Sequence, residues 1–263
     1  NQLNTIGKTS AIYAVSEDTL GYNRGTSLAF YTNQFNDQNY AERMRIFHNG
    51  NVGIGTTSPS AKLHVSGSSA TSIIDGVRIG RGLGDVITNT ALGNSSLIVN
   101  TTGANNTAVG YLSLTANTTG YQNTAVGTEA LAKITTGNND VAVGWRSQYE
   151  NIVGVGNTSI GAASLRVNIT GVHNNAFGTY ALRNNTTSRN NAFGFYALAS
   201  NTTGTQNSAF GHRALQANTV SSSNSAFGYK ALYSNKNTGN SAFGHLALSS
   251  NTFGSYNVAV GRN

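Results

Sequence analysis

The sequence predicts an all-β chain: an elongated rod of stacked 17-residue coils, a parallel β-helix or β-roll shared by three copies, preceded by a small β module. Three observations carry this. Eleven glycines (Gly93, Gly110, Gly127, Gly144, Gly161, Gly178, Gly194, Gly211, Gly228, Gly244 and Gly261) recur at intervals of 17, 17, 17, 17, 17, 16, 17, 17, 16 and 17 residues, each within a version of Asn-Thr-Ala-Val-Gly-x-x-Ala-Leu. Fixed-period self-similarity is the mark of stacked repeats. Asn/Thr/Gly clusters such as Asn100-Thr101-Thr102-Gly103 and Asn117-Thr118-Thr119-Gly120 stand between the copies as turn signals. The period is also too short, and too rich in Gly, Asn and Thr, for a two-helix repeat.

Residues 1–66 read as the β module. Strands are expected at 27–32 and 44–47, Asn49-Gly50 between Phe47 and Val52 is a tight hairpin signal, and Pro59 falls in a turn. Residues 67–88 are expected to form a connector or degenerate coil, with Ile73-Ile74 and Val77-Arg78-Ile79 as its apolar part. Residues 89–263 form the array of eleven repeats, the last one incomplete.

Each repeat column has a physical reading. Four before the glycine stands Asn in every copy but one, which has Asp140. Asn bonds its own turn and, at equal depth in stacked layers, forms amide ladders. Two before it is Ala except for Ser159. One before it the residue is apolar and changes from Val or Ile to Phe at Phe177 for five copies, a repacking of the interior. Four after it is Leu except for Gln148. The expected axial core is therefore Val109, Leu114, Val126, Leu131, Phe177, Leu182, Phe193, Leu198, Phe210, Leu215, Phe227, Leu232, Phe243 and Leu248. Two large apolar side chains per repeat are a thin return for ordering seventeen backbone residues. The sequence thus predicts a parallel homotrimer around one axis, with a single-chain solenoid as the alternative.

Composition narrows the function. Only 10% of residues are charged, there are 31 Gly, one Pro and no Cys, so disulfides, thiolate zinc and a cysteine nucleophile are excluded. No apolar run approaches the roughly 20 residues of a membrane helix, and residues 1–10 lack the pattern of a secretory signal. The net charge of +7 is made of single, scattered basic residues rather than the clustered stripe of a nucleic-acid binder. No nucleic acid, membrane insertion, cofactor or metal is expected.

The run Asn106-Thr107-Ala108-Val109-Gly110-Tyr111-Leu112-Ser113-Leu114 resembles the head repeats of trimeric autotransporter adhesins, whose period is usually shorter. The segment 42–65, Glu-Arg-Met-Arg-Ile-Phe-His-Asn-Gly-Asn-Val-Gly-Ile-Gly-Thr-Thr-Ser-Pro-Ser-Ala-Lys-Leu-His-Val, is similar to one common in bacteriophage tail-fibre proteins, where it often precedes such arrays. The resemblance implies a homotrimeric, β-rich structural fibre on a virion or outside the cell, partnered by itself, by other fibre or virion proteins, and by a host-surface glycan or protein. Such fibres often end in a chaperone or a receptor-binding tip, and neither is recognisable in residues 1–263. A cell-made trimeric adhesin or extracellular filament, and more remotely an ice-binding solenoid, are the other readings.

No enzyme is expected. In the array the carboxylates are Glu129, Asp140 and Glu150, in different columns, and no Ser has a His and an acid at fixed spacing. His212 and His245 share a column, but Tyr229 stands between them. The aromatic residues just after the glycines, Tyr111, Trp145, Tyr180, Phe195, Tyr196 and Tyr229, are the candidates for a sugar- or protein-binding surface. The Asn-x-Thr triplets match the glycosylation acceptor, but turn chemistry accounts for them without modification.

Overall fold

The computed structural model describes residues 10–16, 25–32, 41–66, 71–74 and 77–263. Two compact units are present, Asn1–Ala70 and Thr71–Asn263. Among the described residues there is no α-helix, and a single 3₁₀ turn spans Leu83–Asp85.

The first unit is a five-stranded sheet of β1 (Ser10–Ser16), β2 (Thr26–Thr32), β3 (Ala41–Ile46), β4 (Val52–Ile54) and β5 (Leu63–Val65), paired in chain order. β3 and β4 form the hairpin expected around Asn49-Gly50, with Ile46 opposite Val52. Strand alternation sorts its residues cleanly. One face carries two rows, Ala14, Leu28, Ile46, Val52, Leu63 and Ile12, Phe30, Met44, Ile54, Val65. The other carries Tyr13, Ala29, Arg45, Gly53 and His64 in a row. There Ala29 and Ser27 are fully buried, and Arg45 is held by Glu42 at 2.8 Å.

The second unit is a β-solenoid. A hairpin of β6 (Thr71–Ile74) and β7 (Val77–Gly80) is followed by β8 (Thr90–Leu92), β9 (Thr107–Val109), β10 (Thr124–Val126), β11 (Val141–Val143), β12 (Thr158–Ile160) and β13 (Asn175–Phe177). The series continues with β14 (Asn191–Phe193), β15 (Ser208–Phe210), β16 (Ser225–Phe227), β17 (Ser241–Phe243) and β18 (Val258–Val260). From β8 onward every pair is parallel and in register, repeat residue on repeat residue. In the stretch expected as a connector or degenerate coil, 67–88, residues 67–70 and 75–76 lie outside the described set. β6 and β7 pair antiparallel, and β7 pairs antiparallel with β8, so a hairpin covers that edge of the sheet. Coil-like stacking starts immediately afterwards, where Leu83 N–H donates to Leu97 O at 3.0 Å.

The interior of the solenoid explains how a single chain closes its coils. The Ala column two before the glycine and the Leu column four after it are fully buried through most of the array. Between them stand two Asn columns. The first, Asn89 to Asn240, is buried throughout, and each member's Oδ1 accepts the backbone N–H of its successor at 2.7–3.0 Å. The second, seven after the glycine, passes Nδ2 to the Oδ1 one coil back in five coils, as from Asn117 to Asn100 at 2.9 Å and from Asn218 to Asn201 at 3.1 Å. The expectation that a lone coil is under-filled counted apolar groups only. Amide ladders occupy the rest of the cross-section, their polar atoms largely paired, where unpaired ones are costly.

The structure divides the expected axial core. Leu114, Leu131, Leu182, Leu198, Leu215 and Leu232 are fully buried inside the chain's own coils, and Leu248 packs against that core. Val109, Val126, Phe177, Phe193 and Phe210 are half-buried, and Phe227 and Phe243 are exposed. The cause is the two-residue period of the strand: with Ala inside, its neighbours point outward.

From Gly93 to Gly244 the repeat glycines leave no room for a side chain. At Gly211 φ is +142°, and a Cβ would stand 2.3 Å from the carbonyl oxygen of Gly228 one coil on. Gly211→Ala is therefore expected to lower stability by about 3 kcal/mol or more, from strained backbone and lost packing together, read as a fall in the thermal midpoint.

Candidate functional surface

The outer face of the long sheet carries one continuous apolar column: Leu92, Val109, Val126, Val143, Ile160, Phe177, Phe193, Phe210, Phe227, Phe243 and Val260. The five Phe rings stack at 4.6, 4.6, 4.7 and 5.0 Å with interplanar angles of 3–8°. The coil rise imposes this spacing, because ring follows ring along one column. Beside it runs a column that is polar at every coil from β9 to β17 but one, Thr107, Thr124, Thr158, Asn175, Asn191, Ser208, Ser225 and Ser241, with Val141 the exception.

A second stack occupies the position after the glycine. Phe195, His212, Tyr229 and His245 lie face to face at 5.3, 5.4 and 5.0 Å. Tyr229 is thus sandwiched between two imidazoles, so both faces of its ring are covered. Tyr180 and Tyr196 are brought together at 4.8 Å, and Phe195 meets each of them edge-on. Tyr111 and Trp145 stand apart from these stacks; both are about half exposed, with Arg146 lying 4.9 Å over the indole. Of the aromatic residues expected to bind sugars, these two keep the most open rings.

The charged groups near Trp145 neutralise one another. Arg146 bonds Glu129 across one coil, and Lys133 bonds Glu150 at 2.6 Å across the same coil boundary. Tyr149 lies under both cations, at 5.0 and 5.2 Å. Glu129 and Asp140 hold separate partners, Glu129 on the outer surface and Asp140 inside. Among the described residues no group of three or more His, Asp or Glu is placed to hold a metal ion.

The turns settle two further points. Asn100, Asn117, Asn185 and Asn201, each first in an Asn-x-Thr triplet, are buried with their amides in the ladder. A glycan there would require the ladder to open. Thr101, Thr118, Thr186 and Thr202 donate their hydroxyls to backbone carbonyls of the next coil at 2.9–3.0 Å, which removes these donors from the outer surface.

One coil departs from all the others. Ser159 and Gln148 replace Ala and Leu inside the coil, and with Ser147 and Ser164 they form a buried hydroxyl–amide network. This network separates two apolar clusters, one running from Ala91 to Ala142 and one from Leu165 to Ala247. Ile134 replaces an Asn in the second amide column, so Asn117 Oδ1 has no partner and Asn151 has no Oδ1 one coil back to bond. Asn151 instead donates to Asp140 Oδ2 at 3.1 Å and Gln148 Oε1 at 3.2 Å. Asp140 Oδ1 keeps the ladder role, accepting Asn157 N–H at 2.7 Å. Burial pushes the Asp140 carboxyl up to about 7, against the hydrogen bonds from Asn157 and Asn151. The sequence signal for this cluster was the crowding of single exceptions to different columns within residues 134–159.

Comparison with family models, curated proteins and solved structures finds no match to this chain.

Proposed function

We propose that this chain is a structural segment of a virion or extracellular fibre, assembled from three parallel copies and supporting attachment to a host surface. The observation that carries this reading is the apolar column from Leu92 to Val260, which runs unbroken along the outer face of a sheet whose own core is closed on the opposite side. A single chain leaves that column facing water, and contiguous apolar surface of this kind marks an interaction site. A second copy is the fitting partner, because the column repeats with one period along its whole length and a parallel copy repeats with the same one.

The first unit supports the reading independently. Its two-row face holds ten apolar side chains and no ionisable group, with Ile12 64% and Leu63 60% exposed. The resemblance of segment 42–65 and of the Asn-Thr-Ala-Val-Gly array to phage tail fibres points the same way. Sedimentation equilibrium of the purified chain tests it. The expected mass is three times 27.4 kDa, and a stable, well-folded species of 27.4 kDa at micromolar concentration overturns the assembly.

A further inference from the structure

The first amide column makes two bonds at most of its rungs. Oδ1 accepts the N–H of the next rung, and Nδ2 donates to a turn carbonyl fourteen residues on in the 17-residue coils, as from Asn106 to Gly120 at 2.8 Å, from Asn123 to Gly137 at 2.9 Å and from Asn157 to Gly171 at 2.9 Å. In most coils the second amide column donates to that same carbonyl, as Asn117 does to Gly120 at 3.0 Å and Asn168 to Gly171 at 2.9 Å. At Asp140 both arrangements change. Its Oδ1 keeps the acceptor role, while Oδ2 takes the place of the amide nitrogen and carries no donor when ionised. Asn151 has turned its Nδ2 toward Oδ2 and Gln148, and its Oδ1 accepts Gly154 N–H at 2.8 Å. The carbonyl of Gly154 therefore receives neither of the side-chain amide donors that serve its counterparts.

We propose that Asp140 is a proton-conditional rung: with a proton on Oδ2 it substitutes for asparagine and completes the ladder by donating to Gly154 O, and without that proton the coil is held less tightly and the solenoid loosens at this point. The proton balance is simple. One proton moves from solvent to Oδ2, and no other group changes its ionisation.

The surroundings suit this role. The groups that reach the carboxyl are the backbone N–H of Asn157 on the next coil and the side-chain amide of Asn151 from its own turn, and both are neutral; on the coil before, neutral Asn123 accepts the backbone N–H of Asp140. Arg146 and Lys133, the nearby cations named above, are engaged by Glu129 and Glu150 on the outer surface. Burial with no cation to compensate it favours the uncharged form. The location also gives the device leverage, because the apolar core is interrupted at this coil. Local opening here is opposed by hydrogen bonds more than by apolar burial.

A carboxyl whose folded pKa is raised, from 3.8 to about 7, adds stability in full below the unfolded value and loses it as pH rises through the folded one. Hydrogen-exchange protection, corrected for the intrinsic rate, tests this on the wild-type chain and on Asp140→Asn at pH 5.5 and 8.5. In the wild type, amides of residues 137–160 are expected to lose protection by about tenfold or more at the higher pH, because the closed coil holds the Oδ2 proton more tightly than the open one and ionisation cancels that advantage. Coils 106–123 and 207–240 serve as controls within the same molecule and should lose none. Asp140→Asn restores the residue found in the ten other copies, so it folds, and its protection should be equal at the two pH values. A wild-type loss no greater than that of Asp140→Asn, or one shared equally by the control coils, overturns the proposal.

Discussion

Replacing Asn207 by alanine is expected to cost about 3–5 kcal/mol of stability, more than most single substitutions, although the residue touches no ligand and lies in no apolar cluster. Its side chain makes four bonds: Nδ2 donates to Asn190 Oδ1 at 3.2 Å and to Ser221 O at 2.8 Å, and Oδ1 accepts Asn224 N–H at 3.0 Å and Asn224 Nδ2 at 3.1 Å. Truncation strands the buried N–H of Asn224, for which water has no route, and leaves a void as well. Since each coil is held chiefly by its two neighbours, the damage should also divide the unfolding transition into two steps. Chemical denaturation followed by circular dichroism measures both. A loss below about 1 kcal/mol would show that the ladder is incidental to stability.

Phe210→Asp should leave each chain folded and take the assembly apart. The ring lies outside the coil, stacked between Phe193 and Phe227, so the fold itself loses only those ring contacts, about 1–2 kcal/mol. In a trimer joined by this column, three carboxylates would meet in one dry layer, a like-charge arrangement that costs several kcal/mol. The expected result is a monomer by sedimentation with an unchanged far-ultraviolet spectrum. Leu215→Asp, in the same coil, provides the contrast. Leu215 is fully buried, and a carboxyl there should unfold the chain whatever its state of assembly. A trimer that survives Phe210→Asp would place the interface elsewhere.

The repeat geometry was legible because it rests on residues that tolerate no replacement. A glycine facing another backbone at under 3 Å, and an Asn whose two ends both bond, leave a column in the sequence that spacing alone reveals. The side of the wall on which Val or Phe sits was harder to read. Leu and Phe columns look alike in composition, and only the strand placement of Ala108 or Ala209 decides that Val109 and Phe210 turn outward. The hairpin at Thr71–Gly80 was hidden because antiparallel and parallel pairing place the same demands on Ile73, Val77 and Ile79. The Asp140 cluster was visible only as separate irregularities. Ile134, Gln148 and Ser159 acquire meaning once the coil brings them together.

Every coil bonds only to the one before and the one after, through the same joints. Losing or gaining one whole repeat by unequal recombination would leave those joints unchanged and alter the length by one graduation of about 4.8 Å. Such a molecule is a ruler that heredity can shorten or extend without redesigning it. The stretch from Ile134 to Ser164 is the exception, since its parts fit only one another and an edit there would separate matched pieces.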